Sequence, residues 1–251
     1  MMLRPNLILH VVDDPQHYYW GTAFADDITR SLSVPSLGRS TFAPTHEQIA
    51  RSGAVFVAAH SAAPLCMPSR WSMLTGRYPS AGTAVRSSAV SFNMRPLTNW
   101  SLAHHLLRLG YTTGFAGKWH VSSIHAGSLL PLGLASVSAA RRASAYPAMQ
   151  DEVRRAGFQY ADGVLMNNVD LLWANGSHLP EWVISKAIAF VRGTHASTRR
   201  TSGARGDHAA RGHRDDPPFF LCVAQTLEHS PFAPGLCSTL SPCVDVHRIL
   251  P

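Results

Sequence analysis

Residues 65–77 read Leu-Cys-Met-Pro-Ser-Arg-Trp-Ser-Met-Leu-Thr-Gly-Arg, and this stretch predicts a helix that begins at Cys66. Pro68 suits the first turn of a helix, where its missing N–H would have no intrahelical partner anyway, and Gly76 suits the helix end. The free N–H groups and partial positive charge of a helix N-terminus favour a bound oxyanion such as sulfate or phosphate. We therefore expect anion chemistry at Cys66. A buried cysteine ahead of an ordinary helix is the alternative interpretation.

The composition is that of a globular protein. The chain has 251 residues, of which 45% are hydrophobic, and this is enough for a packed core. Its formal net charge is +7, but only Lys118 and Lys186 are lysines, and the arginines are scattered along the sequence. An arginine-rich nucleic-acid binder is therefore only an alternative, since no nucleic-acid-binding motif is present. No apolar run is long enough to span a membrane.

The first apolar stretch predicts a strand over residues 6–12, and it ends in two carboxylates, Asp13 and Asp14. Ligands of open parallel sheets bind at the carboxyl ends of the strands, and paired carboxylates suit a hard divalent cation such as calcium or magnesium. A solvated turn is the alternative, because Asp before Pro is common in turns.

Two later strands also precede polar side chains. Residues 111–116 predict a strand ahead of Lys118 and His120, and residues 218–224 predict a strand ahead of His229. In a chain with so few lysines, Lys118 indicates that a compact ammonium group is needed at this place. Candidate residues that each follow a strand are typical of a doubly wound α/β fold with a mostly parallel sheet.

The remaining patterns predict elements around this sheet. They are helices over 45–51, from the cap Ser101 to near Gly110 and over 181–192, and a strand over 54–58. Residues 194–217, rich in Arg, His and Asp among small residues, are predicted to be a flexible insertion.

Residues 66–70, Cys-x-Pro-Ser-Arg, followed by Leu-Thr-Gly at 74–76, closely resemble the signature of the formylglycine-dependent sulfatases, members of the alkaline phosphatase superfamily. Other stretches are similar to that family as well. They are the Arg-Pro-Asn strand that ends in Asp13 and Asp14, the Gly-Lys-Trp-His sequence at 117–120, and the Pro-Phe-Phe strand followed by His229-x-Pro231. The resemblance runs, with gaps, from Arg4 to Phe232. Glu228 departs from it, because the family usually has proline there.

The resemblance implies that Cys66 is oxidised to formylglycine, whose hydrate carries two hydroxyl groups. One hydroxyl attacks sulfur and displaces the alcohol, and the other loses its proton to expel sulfate and restore the aldehyde. It also implies a divalent metal, calcium in preference to magnesium, held by Asp13, Asp14 and the modified Cys66. The implied substrate is a sulfate ester, and the implied partner is a formylglycine-generating enzyme.

The resemblance further implies roles for four side chains. Arg70 would orient the hydrate, and Lys118 would hold the sulfate oxygens together with the metal. His229 would protonate the departing alcohol, and His120 would take the proton that releases sulfate. A phosphonate or phosphate monoester hydrolase of the same superfamily would use the same parts, and a non-catalytic sulfatase-like protein would keep the fold without turnover. The alcohol of the substrate, aryl or carbohydrate, stays open.

By this resemblance the protein would enter the secretory pathway, as a lysosomal or extracellular protein, but the first strand begins too early to leave room for a signal peptide. Two glycosylation sequons, at Asn99 and Asn175, point weakly to secretion. Cys66 must stay out of disulfides if it is to be oxidised. The pairing of the other cysteines is open, and a bond between Cys237 and Cys243 is one option.

We expect residues 1–251 to form a single, incomplete N-terminal domain of the sulfatase type, truncated at its C-terminus. Sulfatases complete the metal site with an Asp and an Asn or His from a later strand, and no such pair is recognisable here. Asp245 and His247 are the sole substitutes in the sequence. The chain as given is therefore predicted to have little or no activity.

Overall fold

The computed structural model describes residues 4–13, 44–56, 59–88, 91–94, 97–121, 139–165, 179–201 and 217–226. The chain divides into two compact units, one of residues 14–61 and the other of residues 1–13 with 62–251. In the smaller unit, helix α1 spans Pro44–Ser52. The prediction of one domain over 1–251 stays a prediction.

The larger unit alternates strands and helices. Its elements are β1 (Leu7–Val11), α2 (Cys66–Thr75), a short 3₁₀ turn (Pro79–Ala81), β2 (Thr83–Ser88), β3 (Ser91–Met94), α3 (Leu102–Arg108), β4 (Thr112–Lys118), α4 (Ala139–Arg155), β5 (Tyr160–Leu165), α5 (Pro180–Thr201) and β6 (Phe219–Ala224).

Four strands form a parallel sheet in the order β1-β6-β4-β5, and β2 and β3 pair separately in an antiparallel ribbon. In the register of the parallel sheet, Ala224 of β6 lies opposite Val11 of β1 and Gly117 of β4. The carboxyl ends of these three strands therefore meet at one edge. This arrangement confirms the predicted α/β class.

Helices cover both faces of the sheet. Alternate residues of β6 point to opposite faces, as the two-residue period of a strand requires. Phe220 and Cys222 join a core with residues of α2, α3 and α4, whereas Phe219 and Leu221 join a second core with residues of α5. All six residues of β6 are buried, which explains its uninterrupted apolar sequence.

Helix α2 has the ends that its sequence predicts. Pro68 lies in the first turn, and the helix ends where Gly76 takes a positive φ of 67° and donates its N–H to Ser72 O at 2.7 Å. Helix α3 is capped as predicted, because Ser101 Oγ accepts the His104 N–H at 3.2 Å. The same hydroxyl donates to Ala156 O at 2.5 Å and so ties α3 to the end of α4.

Three features differ from the predictions. Residues 54–56 form no strand, and Phe56 is 83% exposed, so the apolar run there does not mark a buried strand; residues 57 and 58 lie outside the described part. Helix α5 continues past residue 192 to Thr201, which is compatible with Gly193 and with the absence of proline before residue 217. Residues 202–216 of the predicted insertion lie outside the described part, and the insertion stays a prediction. Helix α4, strand β5 and the β2–β3 ribbon were not predicted.

Among the described helices, none combines the length and the apolar character needed to cross a membrane.

Candidate active site

The carboxyl ends of β1 and β4 bring two predicted site residues together. Asp13 follows β1, Lys118 is the last residue of β4, and these strands flank β6 on either side. Lys118 Nζ lies 2.5 Å from Asp13 Oδ2. The lysine is 0% exposed and the aspartate 6%. Such a buried ion pair forms only where the fold holds both groups in place, because each charge loses its water.

Arg70 of α2 joins the same pair. Its Nη2 donates to Asp13 Oδ1 at 3.0 Å, and its Nη1 donates to the backbone carbonyl of Lys118 at 2.6 Å. The side chain is buried, with 4% of the residue exposed. One guanidinium thus connects helix α2 to the ends of two strands. We call Asp13, Arg70 and Lys118 the charge cluster.

The charge cluster keeps Asp13 ionised. Burial by itself would raise the pKa of this carboxyl, but the charge of Arg70 and the hydrogen bond and charge of Lys118 outweigh that effect. The pKa of Asp13 is therefore held below its usual value. Two buried cations surround one buried anion, so the cluster carries a net positive charge that suits an anionic ligand.

Cys66 is the first residue of α2, and its thiol is free and partly buried. Residues four apart lie on the same face of a helix, so Cys66 is on the face from which Arg70 reaches Asp13. Leu65, at the N-cap, makes no side-chain capping bond to the first turn. The side chain of Leu65 therefore does not cap the N–H groups of the first turn, which agrees with the predicted binding of an anion at this helix end.

Trp119 and His120 follow Lys118 in a constrained segment. Trp119 N–H donates to Leu165 O at 2.7 Å, and its ring, 1% exposed, packs edge-on against Phe115 at a centroid distance of 5.2 Å. His120 has a φ of 51°, which is uncommon for a residue other than glycine. Backbone strain of this kind concentrates at functional sites. His120 is half-buried at the same sheet edge as Lys118.

The third strand end carries two buried polar residues that were not predicted, Gln225 and Thr226. Gln225 N–H donates to Val11 O at 2.8 Å and extends the pairing of β6 with β1 toward Asp13. Cys222 lies further back on β6, and complete burial raises the pKa of its thiol to about 12, so it stays protonated.

The structure does not reach every predicted site residue. Asp14 and His229 lie outside the described residues, as do Cys237 and Cys243. Within the described part, no group of three or more His, Cys, Asp or Glu side chains is arranged to hold a metal ion. Asp13 still has the right chemistry for calcium, because it is an ionised oxygen donor. Both of its oxygens, however, are engaged by Arg70 and Lys118.

Sequence reasoning missed the mutual contacts of the charge cluster. It assigned Arg70 to the hydrate and Lys118 to sulfate, whereas both contact Asp13 here. It also missed another ion pair, in which Lys186 Nζ lies 2.9 Å from Asp162 Oδ2. The one feature of the sequence that pointed to these ion pairs is that Lys118 and Lys186, which each form one of them, are the sole lysines of the chain.

Comparison with known proteins identifies the family. The family model described as Sulfatase matches residues 23–237. Human arylsulfatase G is 43% identical over 129 residues, which make up 51% of this chain and 22% of that protein. Human arylsulfatase A is 37% identical over 117 residues, 43% of this chain and 22% of that protein. Choline-sulfatase from Rhizobium meliloti is 32% identical over 117 residues, 47% of this chain and 20% of that protein.

The matched segments thus span no more than 22% of the length of these relatives. The family model, in contrast, covers residues 23–237 of the 251 in this chain, which is well over half. The chain therefore belongs to the sulfatase family.

Proposed function

We propose that this chain carries the nucleophile and the anion-binding part of a sulfuric ester hydrolase. The observation that supports this most directly is the position of Cys66, which begins the helix whose Arg70 contacts Asp13 and Lys118 at the sheet edge. A nucleophile on the same helix face as a buried, positively charged cluster suits attack on an anionic ester.

In this proposal Cys66 is oxidised to formylglycine by a formylglycine-generating enzyme. A hydroxyl of the hydrated aldehyde attacks sulfur, and the S–O bond to the alcohol breaks. Loss of the proton of the second hydroxyl then expels sulfate and restores the aldehyde. Arg70 orients the hydrate, and Lys118 faces the sulfate oxygens, whose charge it stabilises.

Two histidines move the protons. His229 gives a proton to the departing alcohol, and His120 takes the proton whose loss releases sulfate. The position of His120 two residues after the end of β4, in a constrained backbone conformation, supports this role. Asp13, Asp14 and the modified Cys66 would hold a divalent cation, calcium in preference to magnesium, which supplies further charge neutralisation when bound.

We also propose that the protein acts in the secretory pathway, as the resemblance to lysosomal and extracellular sulfatases implies. The 251-residue chain alone is still expected to have little or no sulfatase activity. Two aspartates and one hydrate provide few of the about six to eight oxygens that calcium takes, so most of its ligands would be water.

The first prediction concerns the modification of Cys66. We expect conversion to an aldehyde when the chain is expressed with a formylglycine-generating enzyme, because the whole Cys-x-Pro-Ser-Arg sequence is present. Intact mass and an aldehyde-reactive probe measure the conversion, and Cys66→Ala is the control. An unmodified thiol, while a known substrate of that enzyme is modified in the same cells, would contradict the proposal and favour the non-catalytic alternative.

The phosphate monoester hydrolase alternative is tested separately. Hydrolysis rates measured in parallel on an aryl sulfate and on the matching aryl phosphate separate a sulfatase from a phosphate monoester hydrolase.

The second prediction concerns Lys118 in a form of the protein that hydrolyses aryl sulfate. Lys118→Ala should lower kcat/KM by a factor equivalent to roughly 3 kcal/mol, the effect of losing one preorganised oxyanion donor. Lys118→Arg should also impair turnover, because a planar guanidinium cannot replace a compact ammonium in a fully buried position. Lys186→Ala is the matched control, since that lysine pairs with Asp162 and not with the charge cluster. Unchanged turnover in both Lys118 variants would remove Lys118 from the mechanism.

A further inference from the structure

The sequon Asn99-Trp100-Ser101 has no role in the proposed hydrolysis, and the structure describes all three of its residues. We propose that Asn99 carries an N-linked glycan, which is added before helix α3 packs against α4. This inference rests on the proposed function in one respect only, because it needs the protein to enter the secretory pathway.

The first residue of the sequon is accessible. Asn99 is exposed and lies in a bend two residues before Ser101, the N-cap of α3. Its φ of 63° is a left-handed conformation, which asparagine adopts more readily than most residues. Among the described residues, its side-chain amide has no hydrogen-bond partner. An exposed amide without a protein partner leaves room for a sugar.

The middle residue holds the bend in place. Trp100 is half-buried, and its ring packs edge-on against that of Trp71 at a centroid distance of 5.6 Å. The guanidinium of Arg77 lies 4.6 Å from the centroid of the Trp100 ring. These contacts fix the backbone beside Asn99 and do not involve its side chain. A glycan on Asn99 therefore extends into solvent without displacing the packing of α2.

The third residue decides when the glycan can be added. A sequon is recognised through the hydroxyl of its Ser or Thr. In the folded chain Ser101 is 2% exposed, and its Oγ accepts the His104 N–H at 3.2 Å and donates to Ala156 O at 2.5 Å. The folded structure thus hides the group by which the sequon is recognised. The transfer must take place while α3 is unformed or detached from α4.

The step is a transfer from a lipid-pyrophosphate-linked oligosaccharide, the donor that serves sequons in the secretory pathway. The amide nitrogen of Asn99 forms a bond to the anomeric carbon of the first sugar. The bond from that carbon to the pyrophosphate oxygen breaks, and its electron pair leaves with the lipid pyrophosphate. The amide nitrogen loses one proton, and no group is oxidised or reduced.

Translation in the presence of endoplasmic-reticulum microsomes tests the site. The full chain is given a cleavable signal peptide ahead of Met1, and Asn175→Gln removes the other sequon. We expect a gel shift that an endoglycosidase reverses, with the modified peptide assigned to Asn99 by mass spectrometry. Asn99→Asp tolerates the left-handed backbone but lacks the acceptor nitrogen, so the shift should disappear. Ser101→Thr keeps the hydroxyl and should keep the shift.

A second experiment tests the timing. Unmodified, folded chain is incubated with purified transferase and the lipid-linked donor, and its modification is compared with that of the nascent chain. We expect the folded chain to be modified about tenfold less or lower still, because Ser101 is exposed only when α3 opens locally. Gly157→Ala should raise this modification, since a Cβ there would lie 2.7 Å from the His104 nitrogen and push α3 away. Gly193→Ala, with nothing within 4 Å of an added Cβ, is the matched control.

Two results would overturn the inference. One is an unmodified Asn99 while a known acceptor protein is glycosylated in the same translation, and the other is equal modification of the folded and the nascent chain. Neither measurement needs an aldehyde or a sulfate ester. A chain that is glycosylated at Asn99 but never forms an aldehyde at Cys66 would refute the proposed function and leave this inference standing. A chain that forms the aldehyde but takes no glycan would do the reverse.

Discussion

The surroundings of the Asp162 carboxyl link its protonation to the stability of the fold. Its Oδ1 accepts from Tyr146 Oη at 2.8 Å and from the Gly163 N–H at 2.9 Å, and its Oδ2 pairs with Lys186 at 2.9 Å. Burial alone would raise the pKa of Asp162, but the hydrogen bonds of Lys186 and Tyr146 outweigh it, and the pKa is lowered. For Tyr146, burial and the hydrogen bond to Asp162 raise the pKa, so the phenol stays a donor.

The third prediction follows for Asp162→Asn. Because the folded-state pKa of Asp162 is lowered, its ionised form stabilises the fold above the ordinary value of 3.8, and protonation removes that stabilisation as pH falls below it. The variant should lose about 1 kcal/mol of unfolding free energy at pH 7, since the group is only partly buried. The difference should shrink below pH 4.

Urea unfolding at pH 7 and pH 3 measures this difference. Asp151→Asn is the control, because Asp151 pairs with Arg154 on the surface, where the two side chains are 56% and 45% exposed. That variant should stay within about 0.5 kcal/mol of the original chain at both values of pH. A loss in Asp162→Asn that is equal at pH 7 and pH 3 would contradict the coupling.

The pairing of β4 with β6 depends on one glycine beside the charge cluster. Gly117 has a φ of 112°, and a Cβ atom there would lie 1.9 Å from Ala224 O. Only glycine fits this close approach of two backbones. Lys118 is the next residue of β4, so its position depends on how closely β4 approaches β6 at Gly117.

The fourth prediction compares two glycine substitutions. Gly117→Ala should cost about 3 kcal/mol or more of unfolding free energy, because β4 and β6 must separate and the backbone conformation disfavours alanine. Gly193→Ala is the matched control, since Gly193 lies in helix α5 with nothing within 4 Å of an added Cβ. It should raise stability by about 0.5–1 kcal/mol. Urea unfolding at pH 7 measures both, and equal effects of the two changes would contradict the close-approach argument.

The elements predicted correctly are those with strong local signals. Strands β1, β4 and β6 are apolar runs that stop at polar or charged residues, and α2 and α3 carry a Pro, a Gly and a Ser at diagnostic positions. Strand β5 was missed because Asp162 and Gly163 interrupt its apolar pattern. Helix α4 was missed because Pro147 and several arginines obscure the few apolar residues that it buries, such as Met149 and Val153.

Residue types at the candidate site were predictable, and their contacts were not. A sequence indicates that Asp13 and Lys118 each follow a strand, but the strand order β1-β6-β4 that places their ends together comes from long-range packing. The pairing of Arg70 with Asp13 depends in addition on how α2 packs on that face of the sheet. These distances become known only when the fold is known.

At the scale of the whole molecule, the parallel sheet separates two hydrophobic cores, and only one of them lies on the side of the candidate site. The core that includes Trp71 and Phe115 lies on the face of α2, which carries Cys66 and Arg70. The core that includes Val183 and Phe190 packs α5 against the opposite face. Because the two cores lie on opposite faces of the same sheet, we expect them to unfold together.

The fifth prediction tests this cooperation from the face remote from the charge cluster. Phe190 is 4% exposed, and its ring lies 5.3 Å from that of Tyr160 and 5.8 Å from that of Phe219. Phe190→Ala should lower the unfolding free energy by about 3–5 kcal/mol, the usual cost of removing a buried ring, with an unchanged denaturant slope. Leu109→Ala, at a residue that is 58% exposed, is the control and should change it by less than about 0.5 kcal/mol.

Two probes of the same urea titration show whether the faces are coupled. In a Trp182→Phe background, which removes the tryptophan of α5, fluorescence includes Trp71 and Trp119 on the face of α2, whereas far-ultraviolet circular dichroism follows helices on both faces. If one sheet couples them, both transitions in Phe190→Ala move to lower urea by the same amount, because loss of α5 uncovers the strands that also support α2. A shift in circular dichroism without a shift in fluorescence would mean that α5 detaches while the charge cluster stays folded. The geometry of Asp13, Arg70 and Lys118 would then depend on one face of the sheet alone.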